Sequence, residues 1–187
     1  MKGLRLPAFV LLFAAAAAVT AAEKFDPCSL LTRREIEEVQ GDKVASTKAS
    51  DPQRDHFAVS QCFYTLATFS KSISLEVTRR RPGETETPRA RWKPMFARAL
   101  EKGKEKEDEP EPEEKAGQGR GREAEARPHR VSGVGDEAFW NGSSLGGGLF
   151  VLKGDAYVRL SVGGPEPEAV KIEKLKKLAR KALPRIR

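Results

Sequence analysis

An internal repeat limits the folds open to this chain more than any other feature of its sequence. Residues 62–100 and residues 149–183 each read as a hairpin, a turn rich in glycine and proline, and a helix. The second strand of each hairpin alternates apolar and polar side chains, Ile-Ser-Leu-Glu-Val at 73–77 and Val-Arg-Leu-Ser-Val at 158–162. Such alternation is typical of a strand with one buried face. The repeat therefore predicts a pseudo-symmetric α+β domain, a mostly antiparallel sheet of about six strands with helices packed on one face.

Local signals predict the remaining elements. A helical turn at 26–31 precedes a helix that starts with a capping box between Thr32 and Glu35 and stops at Gly41. A second helix over 88–100 is expected to begin or kink at Pro94. The other expected elements are strands at 43–49, 57–67, 72–79 and 136–140, a hairpin of 149–153 with 156–162, and a helix over 168–183.

The first 21 residues have the pattern of a secretory signal peptide. Lys2 and Arg5 precede an apolar run over 7–18, and small residues follow it. The run is shorter than the roughly 20 residues that span a bilayer, so cleavage is favoured over a membrane anchor. We expect a soluble mature protein that starts at Ala22 or Glu23, lies in the periplasm or is secreted, and keeps no transmembrane segment. It would fold as a single α+β domain over 22–187.

Cys28 and Cys62 are the only cysteines, and an exported protein meets an oxidising compartment. The expected state is one structural disulfide that closes a loop of about 35 residues. A redox pair normally lies close in sequence, as in Cys-x-x-Cys, so a catalytic role is disfavoured.

Residues 101–130 differ in composition from the rest of the chain. Seven of the ten residues at 105–114 are acidic, and Gly117, Gly119 and Gly121 follow at alternate positions. This segment offers almost nothing to bury, so we expect a flexible charged loop that interrupts the domain.

Few residues suit catalysis. Two cysteines and two histidines exclude a zinc finger or a multi-histidine metal site, and no cofactor or metal is expected. His56 and His129 both read as solvated histidines without a nucleophile motif. A hydrolase is the least favoured hypothesis, with Asp136 and Glu137 as the carboxylates to inspect. The glycines at 133 and 135 predict a tight turn rather than a phosphate loop, because a strand follows them.

The last helix suggests an interaction with anions. Residues 171–187 contain eight basic residues and one acid, with apolar residues spaced by three and four. Its candidate contacts to anionic lipid or glycan are Lys171, Lys174, Lys177 and Lys181. The alternative is an ordinary domain helix whose lysines face solvent. The formal net charge of +7 also suits nucleic acid, but export argues against that partner.

The leading hypothesis is an exported, non-enzymatic envelope domain that binds a ligand or a protein partner. The open face of the sheet is the expected place for such a site. Phe139 and Trp140 are candidates to line it, although aromatic side chains of this kind also pack in cores.

The order of three motifs resembles a family of small exported bacterial envelope proteins, many of them lipoproteins, with no assigned activity. The motifs are Asp-Pro-Cys-Ser-Leu-Leu-Thr at 26–32, Cys-Phe-Tyr at 62–64 and Gly-Val-Gly-Asp-Glu-Ala at 133–138. The resemblance covers most of the chain outside 101–130 and implies an α+β domain, a Cys28–Cys62 bridge, an envelope location and no catalytic residues. A lipid-attachment cysteine directly after the apolar run is missing here, which departs from the lipoprotein pattern.

Overall fold

One antiparallel sheet organises the chain in the computed structural model, which describes residues 25–52, 56–105, 128–143 and 146–186. The strands are β1 (Val44–Ser50), β2 (Phe57–Leu66), β3 (Ile73–Arg80), β4 (His129–Arg130), β5 (Glu137–Ser143), β6 (Gly146–Lys153) and β7 (Ala156–Val162). The helices are α1 (Arg33–Gln40), α2 (Pro88–Glu105) and α3 (Glu168–Ala182), with 3₁₀ turns at Pro27–Leu30, Phe69–Lys71 and Leu183–Arg185. The predicted signal peptide lies outside the described residues.

The strand order is β1-β2-β3-β7-β6-β5-β4, and every neighbouring pair is antiparallel. This confirms the predicted α+β class. The described residues form seven strands rather than about six. The additional strand, β4, has only two residues, and a segment this short carries no alternation that a sequence pattern can reveal.

The pairing of β3 with β7 gives the internal repeat a structural meaning. Leu75 lies opposite Leu160 at the centre of the sheet. Cys62 lies opposite Leu75 in the first hairpin, and Leu149 lies opposite Leu160 in the second. A local two-fold axis through the Leu75–Leu160 pair therefore relates the two hairpins in the register that the sequence repeat predicts.

The two faces of the sheet carry different helices. The front face is defined here as the side of Leu75 and Leu160, and α1, α3 and the first 3₁₀ turn cover it with buried Ile36, Leu175 and Leu178. Its strand residues are mostly aliphatic. The expectation that the helices share one face holds for α1 and α3 only.

Helix α2 packs instead on the back face, the side opposite Leu75. Trp92 and Phe96 are buried there against Phe139 and Leu152, and the Phe96 ring stacks on Phe139 with centroids 4.4 Å apart. Because the front face is already filled, the aromatic side of α2 is matched by the apolar back of β5–β7. Helix α2 therefore packs against strands of the second hairpin and does not repeat the position of α3 on the front face.

Three local predictions near the N-terminus are confirmed. Thr32 accepts the Glu35 backbone N–H at 3.2 Å while the Glu35 carboxylate accepts the Thr32 N–H at 2.9 Å, which completes the capping box. Helix α1 ends at Gly41, whose φ of 67° is left-handed. Cys28 and Cys62 form the expected disulfide, which ties the first 3₁₀ turn to β2.

The two ends of the predicted charged loop belong to regular elements. Helix α2 continues through Pro94 to Glu105, with non-helical backbone angles at Phe96, and strand β4 already begins at His129. The rest of the predicted loop, 106–127, lies outside the described residues. No helix in the described part of the chain is both long enough and apolar enough to cross a membrane.

Candidate functional site

A pocket of about 270 Å³ lies where the beginning of β2 meets the end of β3. We call it the Arg79 pocket. Its walls come from the segment before the first 3₁₀ turn, the residues after β1, and the two strands, and its lining residues are Phe25, Asp51, Pro52, Phe57, Ala58, Val59, Ser60, Arg79 and Arg81. The lining therefore combines five apolar residues with two guanidinium groups, one carboxylate and one hydroxyl.

The strand register explains why an arginine lies in this pocket. Along β3, Leu75 and Val77 point to the front face and are fully buried, and Arg79 is the next residue with the same orientation. Arg79 lies opposite Ala58 of β2 and Ala156 of β7. Two small neighbours leave room for its long side chain at the edge of the core.

The Arg79 guanidinium is held by an aromatic ring and lacks one hydrogen bond. Its central carbon lies 3.6 Å from the centroid of the Phe25 ring, a short cation–π contact. The Nε atom is buried and has no hydrogen-bond partner among the described residues. A buried donor without an acceptor costs about 1–3 kcal/mol, so this atom needs a structural or functional explanation.

The charged residues that line the pocket are Arg79, Arg81 and Asp51. Burial lowers the pKa of Arg79, and the nearby Asp51 carboxylate partly opposes that shift. Arg81 donates from Nη2 to the Phe57 carbonyl oxygen at 3.3 Å. Asp51 and Arg81 each have a further interaction partner, so Arg79 is the charged lining residue that remains for a ligand.

The two aromatic residues expected to line a site are both buried in cores. Trp140 is 1 % exposed in the front core, and Phe139 is 0 % exposed beneath α2. The Trp140 indole lies over the Gly142–Gly147 cross-strand pair, where a Cβ on Gly147 would collide with it. Residues 146–148 thus belong to β6, and Gly147 makes room for this ring.

The predicted carboxylate pair is divided between two structural roles. Asp136 accepts the Gly154 backbone N–H at 2.9 Å and also binds Arg89 of α2. The Gly154 hydrogen bond is the main cause that lowers the pKa of Asp136. Glu137 accepts the indole N–H of Trp92 at 3.2 Å. The two carboxylates fasten α2 and the β6–β7 turn and do not converge on one bond.

The glycines before this pair form the expected tight turn. Gly133 and Gly135 have φ values of 79° and 63°, which only glycine adopts readily. Arg180 of α3 donates to the Gly133 carbonyl oxygen at 2.9 Å, so the turn is anchored to the front helix. All three motifs behind the family resemblance therefore have roles in the fold itself.

Neither histidine belongs to a catalytic arrangement in the described structure. The His56 side chain is 59 % exposed with Glu84 at 3.8 Å, and the His129 side chain is 50 % exposed with Glu168 at 3.9 Å. Within the described ranges, no three His, Cys, Asp or Glu side chains come together in a way that would hold a metal ion.

The four lysines expected to contact anions do not form one exposed stripe. Lys171 is only 4 % exposed. Lys174 contacts the Glu166 carboxylate and donates to Gln40 at 2.9 Å. Lys181 lies 3.9 Å from the Glu35 carboxylate. A contact with anionic lipid or glycan through α3, which stays a prediction, would therefore depend mainly on Lys177.

No protein-family model matches the chain, and neither a curated protein nor a solved structure matches it. The resemblance to exported envelope proteins rests on the three motifs alone and stays a prediction. Sequence reasoning missed Phe25, Arg79 and Arg81 as site residues. A signal existed for Arg79, because the alternation of β3 places it in line with Leu75 and Val77.

Proposed function

We propose that this protein is an exported, non-enzymatic binding domain of the cell envelope that takes a small molecule in the Arg79 pocket. The N-terminal signal pattern and the Cys28–Cys62 disulfide support an oxidising compartment. The observation that carries the binding role is the buried Nε of Arg79, which has no hydrogen-bond partner among the described residues, in a pocket with both apolar and polar lining residues. Ligand sites commonly combine mostly apolar walls with a few converging polar groups.

The structural roles of Asp136 and Glu137 support binding rather than catalysis. Their oxygens hold Gly154, Arg89 and Trp92, so a hydrolytic role would have to break contacts that stabilise the fold. Among the described residues, the lining of the Arg79 pocket contains one carboxylate, Asp51, and no histidine or cysteine. A mechanism with paired carboxylates needs a second carboxylate, which this described lining does not supply.

A fragment screen followed by protein NMR tests the proposal. The methyl signals of Ala58 and Val59 report on the pocket, and that of Val170, an exposed residue on α3, reports on a distant surface. We expect some fragments to shift the Ala58 and Val59 signals saturably while the Val170 signal stays in place. The proposal is wrong if no fragment shifts the pocket signals, or if purified protein turns over a substrate and that turnover is lost in Asp136→Asn or Glu137→Gln.

A further inference from the structure

We infer that the ligand of the Arg79 pocket is a small organic carboxylate with an apolar tail, an inference that rests on the proposed binding function. The pocket's charge, the orientation of Arg79 and the pocket's size each bear on the class of ligand.

The charge of the pocket fits a monoanion. Arg81 and Asp51 both have other interaction partners, whereas Arg79 has a buried donor atom without a partner among the described residues. A carboxylate ligand would match the single positive charge of Arg79. A phosphate monoester carries about −1.5 to −2 at neutral pH and would leave an excess of negative charge in a partly buried place.

The geometry of Arg79 fits a planar acceptor. Phe25 covers the flat side of the guanidinium at 3.6 Å, which leaves the edge of the group, with its N–H bonds, for a partner in the same plane. Nε is the edge atom without an acceptor among the described residues. A carboxylate matches this edge with two parallel N–H···O bonds, the arrangement that arginine forms best.

The pocket is small, and its uncharged walls are mostly apolar. Its volume of about 270 Å³ lies just below the usual range of about 300–1,000 Å³ for ligand sites, which disfavours nucleotides and oligosaccharides. Besides the three charged residues, the one polar side chain in the lining is Ser60. Such walls favour a short hydrocarbon or aromatic tail over a sugar.

Titration calorimetry of the full oxidised chain with three probes of equal tail length tests the inference. The probes are hexanoate, hexyl phosphate and hexylammonium. We expect saturable binding of hexanoate, weaker binding of hexyl phosphate and no binding of hexylammonium. In Arg79→Gln the hexanoate affinity should fall about tenfold or more, as for the loss of a charge-assisted hydrogen bond.

Two further variants separate binding from folding. Arg80→Gln is the matched control, because Arg80 points to the opposite face and lies 3.8 Å from Asp155; its hexanoate affinity should equal that of the wild type. Arg79→Lys keeps a positive charge beside the Phe25 ring but lacks the planar guanidinium group. This variant should therefore fold like the wild type and still bind hexanoate more weakly. Equal affinity in wild type, Arg79→Lys and Arg79→Gln would overturn the inference.

The outcomes also distinguish this inference from the proposed function. Binding of hexylammonium instead of hexanoate would overturn the anionic ligand but leave a binding pocket. Tighter binding of hexyl phosphate than of hexanoate would overturn the carboxylate class. Failure of all three probes, together with a fragment screen that leaves Ala58 and Val59 unshifted, would overturn both.

Discussion

Replacing Glu35 with glutamine should destabilise the fold in a strongly pH-dependent way. The Glu35 carboxylate accepts hydrogen bonds from both terminal nitrogens of Arg185, at 2.7 and 2.8 Å. It also accepts a hydrogen bond from the Thr32 backbone N–H. Arg185 in turn donates to the Leu30 carbonyl oxygen at 2.8 Å. One carboxylate thus connects the first 3₁₀ turn, the start of α1 and the 3₁₀ turn after α3.

The magnitude follows from the shifted pKa. The hydrogen bonds from Arg185 are the main cause that lowers the pKa of Glu35 from 4.5 to about 2. Each unit corresponds to about 1.4 kcal/mol, so the ionised form contributes at most about 3.5 kcal/mol to the free energy of unfolding. Because the folded pKa is depressed, this contribution is present in full above pH 4.5 and is lost as the pH falls towards 2.

Urea unfolding of the wild type, Glu35→Gln and Glu38→Gln at several pH values between 7 and 2.5 measures this difference. Glu38 pairs with Arg34 at 2.9 Å on the same helix, but the two side chains are 50 % and 89 % exposed. Its loss should therefore cost no more than about 0.5 kcal/mol. The reasoning is refuted if the two variants lose the same stability at pH 7, or if the gap between wild type and Glu35→Gln does not shrink below pH 4.5.

Two further predictions concern the covalent and steric constraints of the fold. The disulfide spans a separation of 34 residues, so changing both Cys28 and Cys62 to alanine should lower the free energy of unfolding by about 4 kcal/mol; a loss below about 1 kcal/mol in urea unfolding would contradict this. Gly147→Ala places a methyl group against the Trp140 ring and should cost roughly 1–3 kcal/mol. Gly146→Ala meets nothing within 4 Å and should stay within about 0.5 kcal/mol, so equal melting temperatures of the two alanine variants would refute the packing argument.

Elements with local signals were predictable from the sequence. The capping box and Gly41 predict both ends of α1 to within a few residues. The alternation in β3 and β7 reveals the repeat, which the pairing of these strands confirms. The placement of α2 was not predictable in this way. Phe150, Leu152 and Tyr157 make the back of β6 and β7 apolar, so both faces of that half offer burial, and only the packing of α3 on the front decides which face α2 takes.

The candidate site was predictable only in part, for a related reason. The period of β3 places Arg79 on the buried side, which local reasoning can detect. Its stacking on Phe25 is a tertiary contact between residues distant in sequence, and no local sequence pattern predicts it. The same limit affects α3, where helical spacing identified a basic face but not that Lys171 is buried and that Lys174 contacts Glu166.

The most direct test of the binding account is the NMR signal of the Arg79 Nε–H group during a titration with hexanoate. This atom is buried without a partner in the described structure, and a carboxylate in the pocket would supply its acceptor. The account predicts a saturable downfield shift of this proton signal, with the Arg80 Nε–H signal unchanged. An Arg79 signal that stays in place while hexanoate binds elsewhere, or does not bind, would contradict the account.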